Sequence, residues 1–129
     1  MGRLAGKIAI ISGGARGQGA EEARLFAHEG ATVIIGDILD QDGRKIEAEI
    51  AEQGGEAKFA HLDVSSEEDW LRAVDLSMRE YGKLDILVNN AGILLMKGIE
   101  DTTSQEWDHI QDINSKGVFL GSKAVIPAM

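Results

Sequence analysis

Residues 12–19 read Ser12-Gly13-Gly14-Ala15-Arg16-Gly17-Gln18-Gly19, and a stretch of helical period follows at once. Glycines in a strand-to-helix turn let the backbone come close to a pyrophosphate, whose charge is met by free N–H groups at the helix start. The spacing is glycine, three residues, glycine, one residue, glycine, which differs from the G-x-G-x-x-G dinucleotide fingerprint. It also lacks the Lys-Ser/Thr that would grip a γ-phosphate and magnesium. A bare structural turn is the plain alternative. Asp37, 18 residues beyond Gly19 and followed by Ile38, supplies a carboxylate at the end of a second apolar run. There it can accept hydrogen bonds from the hydroxyls of an adenosine ribose, and its charge repels a 2′-phosphate, which favours NAD over NADP. Arg16 pulls the other way, because a guanidinium in the glycine loop can pair with that phosphate. For an isolated Asp, capping or solvating a strand end is the competing explanation.

Three more groups stand at similar places. Asp63 and Val64 close a third apolar run, and Asn90, Ala91 and Gly92 close a fourth. Ligands of open α/β sheets lie beyond the carboxyl ends of the strands, so the coincidence of small, polar or acidic residues at four strand ends carries the argument. Taken singly, Asp63 is equally a turn residue before a capped helix, and the asparagines equally loop caps. Asn114 falls seven residues after Trp107 and four after Ile110, on a stripe expected to face the sheet. A buried amide there needs a specific partner. A cap before Ser115 is the alternative on spacing alone.

The elements that must position these groups follow from periodicity. Apolar runs at residues 7–12, 31–36, 57–62 and 84–88 alternate with helical stretches, a βαβαβαβα order. Strands that are apolar throughout belong to a parallel sheet covered by helices on both faces. The first helix turns Ala20, Ala23, Phe26, Ala27 and Gly30 to one side; the second carries Ile46 and Ile50 and ends at Gly54-Gly55. The third opens on Ser65-Ser66-Glu67-Glu68, a capping-box pattern, is expected to bury Trp70, Val74, Ser77, Met78 and Tyr81, and stops at Gly82. The fourth opens on Thr103-Ser104-Gln105-Glu106, and a further helix is expected from about Ser115, with Val118, Phe119, Val125 and Ile126 in need of cover. The expected fold is α/β: one Rossmann-type, doubly wound parallel sheet over residues 1–129, of strand order 3-2-1-4 and truncated after about four strands, with the fourth strand as an edge.

Composition excludes several classes. A net charge of −9 leaves no basic face for nucleic acid. There is no cysteine, and His28, His61 and His109 lie far apart, so no metal site is expected. No apolar run reaches the length of a membrane span and no signal-like start is visible, which leads to the expectation of a cytoplasmic protein with no membrane partner.

The glycine loop, Asp37, Leu62-Asp63-Val64, Asn89-Asn90-Ala91-Gly92 and Asn114 followed by Gly117-Val118-Phe119 together resemble the short-chain dehydrogenases/reductases of the classical type, across essentially the whole chain. The resemblance is strongest to bacterial NAD-dependent hydroxysteroid dehydrogenases. It implies an oxidoreductase that passes hydride between NAD and a secondary alcohol or ketone, a homo-oligomer when complete, and roles residue by residue. Gly13, Gly17 and Gly19, flanked by Ser12, Arg16 and Gln18, would meet the pyrophosphate. Asp37 and Ile38 would meet the adenosine ribose, Asp63 and Val64 the adenine, and Asn90, Ala91 and Gly92 the nicotinamide half. Asn114 would be the catalytic asparagine that kinks its helix and helps hold a water in a proton relay. Ser12 replaces the family's threonine and keeps the hydroxyl. The family's serine and Tyr-x-x-x-Lys have no counterpart in these 129 residues: Tyr81 is the one tyrosine, and Asp85 stands four residues after it. The chain alone is therefore expected to be inactive, and a non-catalytic dinucleotide-binding half-domain is the alternative reading.

Overall fold

A computed structural model describes residues 2–129. Strands β1 (Ile8–Ser12), β2 (Thr32–Asp37), β3 (Glu56–His61) and β4 (Ile86–Val88) form one parallel sheet in the order β3-β2-β1-β4, the order expected from sequence. Ile10 lies opposite Ile34 on one side and Leu87 on the other, which places β1 and β2 at the centre. Those two strands are apolar because both of their faces are covered. The outer strands β3 and β4 are only half-buried, so the expectation of strands buried throughout holds for the centre and fails at the edges.

Helices α1 (Gly17–His28) and α2 (Asp40–Glu52) cover one face, and α3 (Glu67–Tyr81) and α5 (Gly117–Val125) the other. Side chains alternate across the central strands. Ile8, Ile10 and Ile34 pack with Leu62, Val64, Trp70, Leu120 and Val125; Ile11, Val33 and Ile35 pack with Ala20, Ala23, Ile46 and Ile50. Each fully buried isoleucine contributes about 1.5–3 kcal/mol of transfer free energy.

The third helix differs from its sequence reading in two ways. Its inner face is Asp69, Trp70, Ala73 and Ser77, while Met78 is exposed. Its cap is half a box: Ser66 Oγ accepts from the Asp69 amide, but the Asp69 carboxylate accepts from the Asp63 amide and pairs with Arg72 instead of returning to the cap. The full capping box is built at α4 (Ser104–Gln111), between Thr103 and Glu106.

The largest departure concerns the stripe of Trp107, Ile110 and Asn114. No residue of α4 is buried, Trp107 is 61% exposed and Asn114 is exposed, so the stripe does not face the sheet. A π-helical turn at Asp112–Lys116 joins α4 to α5 without a break. Such a turn takes up one residue more than an α turn, and the phase of the helix slips across it. Beyond the slip, α5 buries Gly117, Leu120, Gly121 and Val125; Val118, Phe119 and Ile126 remain exposed.

Candidate functional site

The carboxyl ends of the four strands open into one cleft of about 540 Å³. Its lining includes Gly13, Arg16 and Gly17 of the glycine loop, Asp37 and Ile38 after β2, Asp63 and Val64 after β3, and Asn90, Ala91 and Gly92 after β4. The structure thus gathers ten of the thirteen residues singled out as cofactor contacts. Ser12, Gln18 and Gly19 are not on the cleft wall.

Two of them, Ser12 and Gly19, instead shape the wall. Ser12 is 1% exposed, and its hydroxyl accepts from the amides of Asn90 (3.1 Å) and Ala91 (3.1 Å) while facing the Val88 carbonyl at 3.4 Å. One oxygen therefore ties the end of β1 to the start of the β4 loop. Asn90 returns the tie, its Nδ2 donating to the Gly13 carbonyl at 3.1 Å. Gly19 lies where this tie crosses α1: a Cβ at this position would overlap the Gly13 carbonyl oxygen and stand 2.5 Å from Asn90 Nδ2. Only a residue without Cβ lets the first turn of α1 pack under the loop. Gln18 points outward and donates to Glu22 at 3.0 Å.

The start of α1 is electrostatically open. Its N-cap residue, Arg16, has extended backbone and makes no side-chain capping bond, and no acidic residue occupies the first turn. Free first-turn amides at the positive end of a helix suit an anion.

Asp37 is half-buried and fixed by the backbone: Oδ2 accepts from the Ala15 amide (3.0 Å) and Oδ1 from the Leu39 amide (3.1 Å). A carboxylate has about four acceptor positions, so one amide on each oxygen leaves room for two hydroxyl donors from the cleft. Asp63 is held similarly. Its Oδ1 accepts from both the hydroxyl (2.6 Å) and the amide (2.9 Å) of Ser65. The Ser65 hydroxyl, followed by the Ser65 amide, holds the Asp63 carboxyl below its ordinary value, against the opposing effect of partial burial. The turn-capping alternative for Asp63 is therefore realised, in a residue that also faces the cleft.

Asn114, which does not line the cleft, finds its partner in the loop after β4. Its Oδ1 accepts from the Ile93 amide and its Nδ2 donates to the Ile93 carbonyl, both at 2.8 Å. The expectation of a buried amide is corrected, since the residue is exposed, but the demand for a specific partner is met. Sequence reading missed Leu39, Ser65, His109 and Ile113 on the cleft wall. The last two, four residues apart on one helical face, carried a visible signal that the chosen stripe displaced.

Tyr81 lies elsewhere. Its hydroxyl donates to Glu56 at 3.2 Å, at the amino end of β3, so the phenol is at the opposite end of the sheet from the cleft. Burial, followed by the charge of Glu56, pushes its pKa up to about 12.

The family model described as short chain dehydrogenase matches residues 7–129. The chain belongs to the short chain dehydrogenase family. It is 49% identical over 129 residues to cyclopentanol dehydrogenase of Comamonas testosteroni, covering 100% of this chain and 52% of that protein. It is also 49% identical over 128 residues to the 3-alpha-(or 20-beta)-hydroxysteroid dehydrogenase of Mycobacterium tuberculosis, covering 99% and 48%. Among solved structures, a putative short-chain dehydrogenase/reductase from Burkholderia xenovorans superposes with a TM-score of 0.95 at 31% identity, over 100% of this chain and 53% of that one. A metagenomic short-chain oxidoreductase in complex with NADP gives 0.92 at 33% identity, over 98% and 57%. The chain spans about half the length of the curated relatives it matches. Oxidoreductase chemistry and a nicotinamide dinucleotide are properties of this family. Among the described residues no helix is long and apolar enough to cross a membrane.

Proposed function

We propose that this short-chain dehydrogenase chain holds NAD for hydride exchange with a secondary alcohol or ketone. The observation that carries the cofactor choice is Asp37, whose carboxylate two backbone amides aim at the cleft. Ribose hydroxyls can donate to it, whereas a 2′-phosphate would meet its charge. In this reading the uncapped start of α1 takes the pyrophosphate, Asp63 and Val64 flank the adenine, and the 90–92 loop borders the nicotinamide. When bound, the nicotinamide supplies the hydride acceptor or donor.

The chain's own residues bind and orient. Asn114 acts on the site through Ile93, fixing the loop that follows Gly92. The relatives named for cyclopentanol and for hydroxysteroids support an alicyclic secondary alcohol as substrate, steroid-like compounds included. Proton transfer needs an acid/base group at the substrate oxygen, and Tyr81 is too far from the cleft to provide it. That placement favours a second reading, a dinucleotide-binding half-domain without turnover of its own.

Calorimetric titration of the purified 129-residue chain, checked for folding by circular dichroism, tests both readings. NAD binding at least several-fold tighter than NADP, with no alcohol oxidation, is the expected result. A folded chain that binds neither dinucleotide removes the proposal.

A further inference from the structure

Arg16 borders two cavities. It lines the dinucleotide cleft together with Asp37, and also the open groove between α1 and α2 on the outer side of the glycine loop. Its Nε donates to Asp42 Oδ2 at 2.7 Å, in the first turn of α2. The groove is lined by three cations, Arg16, Arg24 and Lys45, and three carboxylates, Glu21, Asp42 and Glu49. Arg24 is held by Glu49 (2.8 Å) and Glu21 (2.5 Å), so Asp42 is the carboxylate left for Arg16.

We propose that Asp42 is a specificity-determining residue of the dinucleotide site: by pairing with Arg16 it withholds from a 2′-phosphate the guanidinium that borders the ribose end of the cleft. The inference rests on the dinucleotide reading above. Asp37 repels the phosphate directly, and Asp42 acts on the same discrimination through the cation. A guanidinium binds a phosphate well because it offers a planar fork of donors and a full charge. With Nε on Asp42 one edge of the guanidinium is engaged, and its field is opposed by a carboxylate in contact. Both side chains are largely exposed, at 71% and 38%, so the pair is screened by water and the effect is modest. Removing Asp42 also leaves the groove with one uncompensated positive charge beside the cleft.

The test is calorimetric measurement of Kd for NAD, NADP and 2′,5′-ADP on the full polypeptide encoded by the gene. Variants are Asp42→Asn, Arg16→Ala and the two combined. In Asp42→Asn the ratio of Kd for NADP to that for NAD is expected to fall about two- to fivefold, the scale on which one exposed charge pair acts. The gain should extend to 2′,5′-ADP and vanish in the combined variant. Arg16→Ala alone should move the ratio by less than about twofold, because in the parent Arg16 is already engaged. A ratio unchanged in Asp42→Asn, or a gain that survives loss of Arg16, overturns the role of Asp42 while NAD binding stands. A folded parent that binds neither dinucleotide overturns the dinucleotide reading, and this inference with it.

Discussion

Asn114 and Ile93 close a ring of two hydrogen bonds, each 2.8 Å long, between the π-helical turn at Asp112–Lys116 and the loop after β4. The side chain thus behaves as a piece of strand that pairs with one residue of a loop lacking regular structure over residues 91–98. Asn114→Ala deletes both bonds and leaves the Ile93 amide to water. A net loss of about 1 kcal/mol is expected, since each bond contributes about 0.5–1.5 kcal/mol and both ends are exposed. Hydrogen exchange at the Ile93 amide checks it: faster exchange there, with amides of β1 and β2 unchanged, is the expected pattern. Asn114→Asp keeps the acceptor and loses the donor, so it should protect the Ile93 amide while still weakening the loop.

Ser65 controls the charge of Asp63. Because the folded carboxyl titrates below its ordinary value of 3.8, its bonds stabilise the fold above that pH, and the stabilisation is lost as the pH falls through the folded value. Ser65→Ala removes the hydroxyl, the larger of the causes, and keeps the amide. The Asp63 pKa, followed by carbon-detected NMR, should move up toward 3.8 and the acid limb of the stability curve should move with it. An unchanged Asp63 titration would show that the hydroxyl contributes nothing to its charge.

The fold was legible where periodicity and burial coincide. Ile8 to Ile11 and Val33 to Ile35 are buried on both sides, so hydrophobic runs, turn residues and strand order could be read directly. The site was legible because strand order fixes which loops meet: Gly13, Asp37, Asp63 and Asn90 reach one cleft from four separate stretches of sequence. What escaped reading has a local cause. Counting in steps of 3.6 from Trp107 leads to Asn114, but α4 buries none of its residues, and the cleft receives His109 and Ile113 from a neighbouring face. The inward role of Ser12 was also hidden, because a hydroxyl beside glycines reads equally as a ligand contact or as a tie between loops. The Arg16–Asp42 pair spans 26 residues and leaves no periodic trace.

The single tyrosine makes a clean spectroscopic probe. Phenolate absorbance should show one transition near pH 12 in the folded protein, raised from 10 by burial first and by Glu56 second. The folded state holds that proton more tightly than the unfolded one, so stability should be level below pH 10 and decline as the pH rises from there toward 12. Glu56→Gln should bring the transition part of the way back, leaving the share due to burial. A midpoint near 10 in the parent would place Tyr81 in water and contradict its partial burial against the core beside Glu56.

Gly17 and Gly19 stand two residues apart and should respond differently to the same change. Gly17 has a φ of +53° and open space for 4 Å around the point where a methyl group would sit, so Gly17→Ala meets only the backbone cost of the left-handed region, about 1 kcal/mol. Gly19→Ala puts a methyl against the Gly13 carbonyl and the Asn90 amide, both fixed by the bonds that join β1 to β4. Relief requires α1 to move away from the loop, at about 1–3 kcal/mol or more. Chemical denaturation separates the two, with Gly19→Ala expected to lose clearly more stability. Dinucleotide binding should follow the same order, because a displaced α1 carries its open N-terminus out of line with Asp37. Equal losses in the two variants would mean that the close approach of α1 to the β4 loop does not constrain the fold.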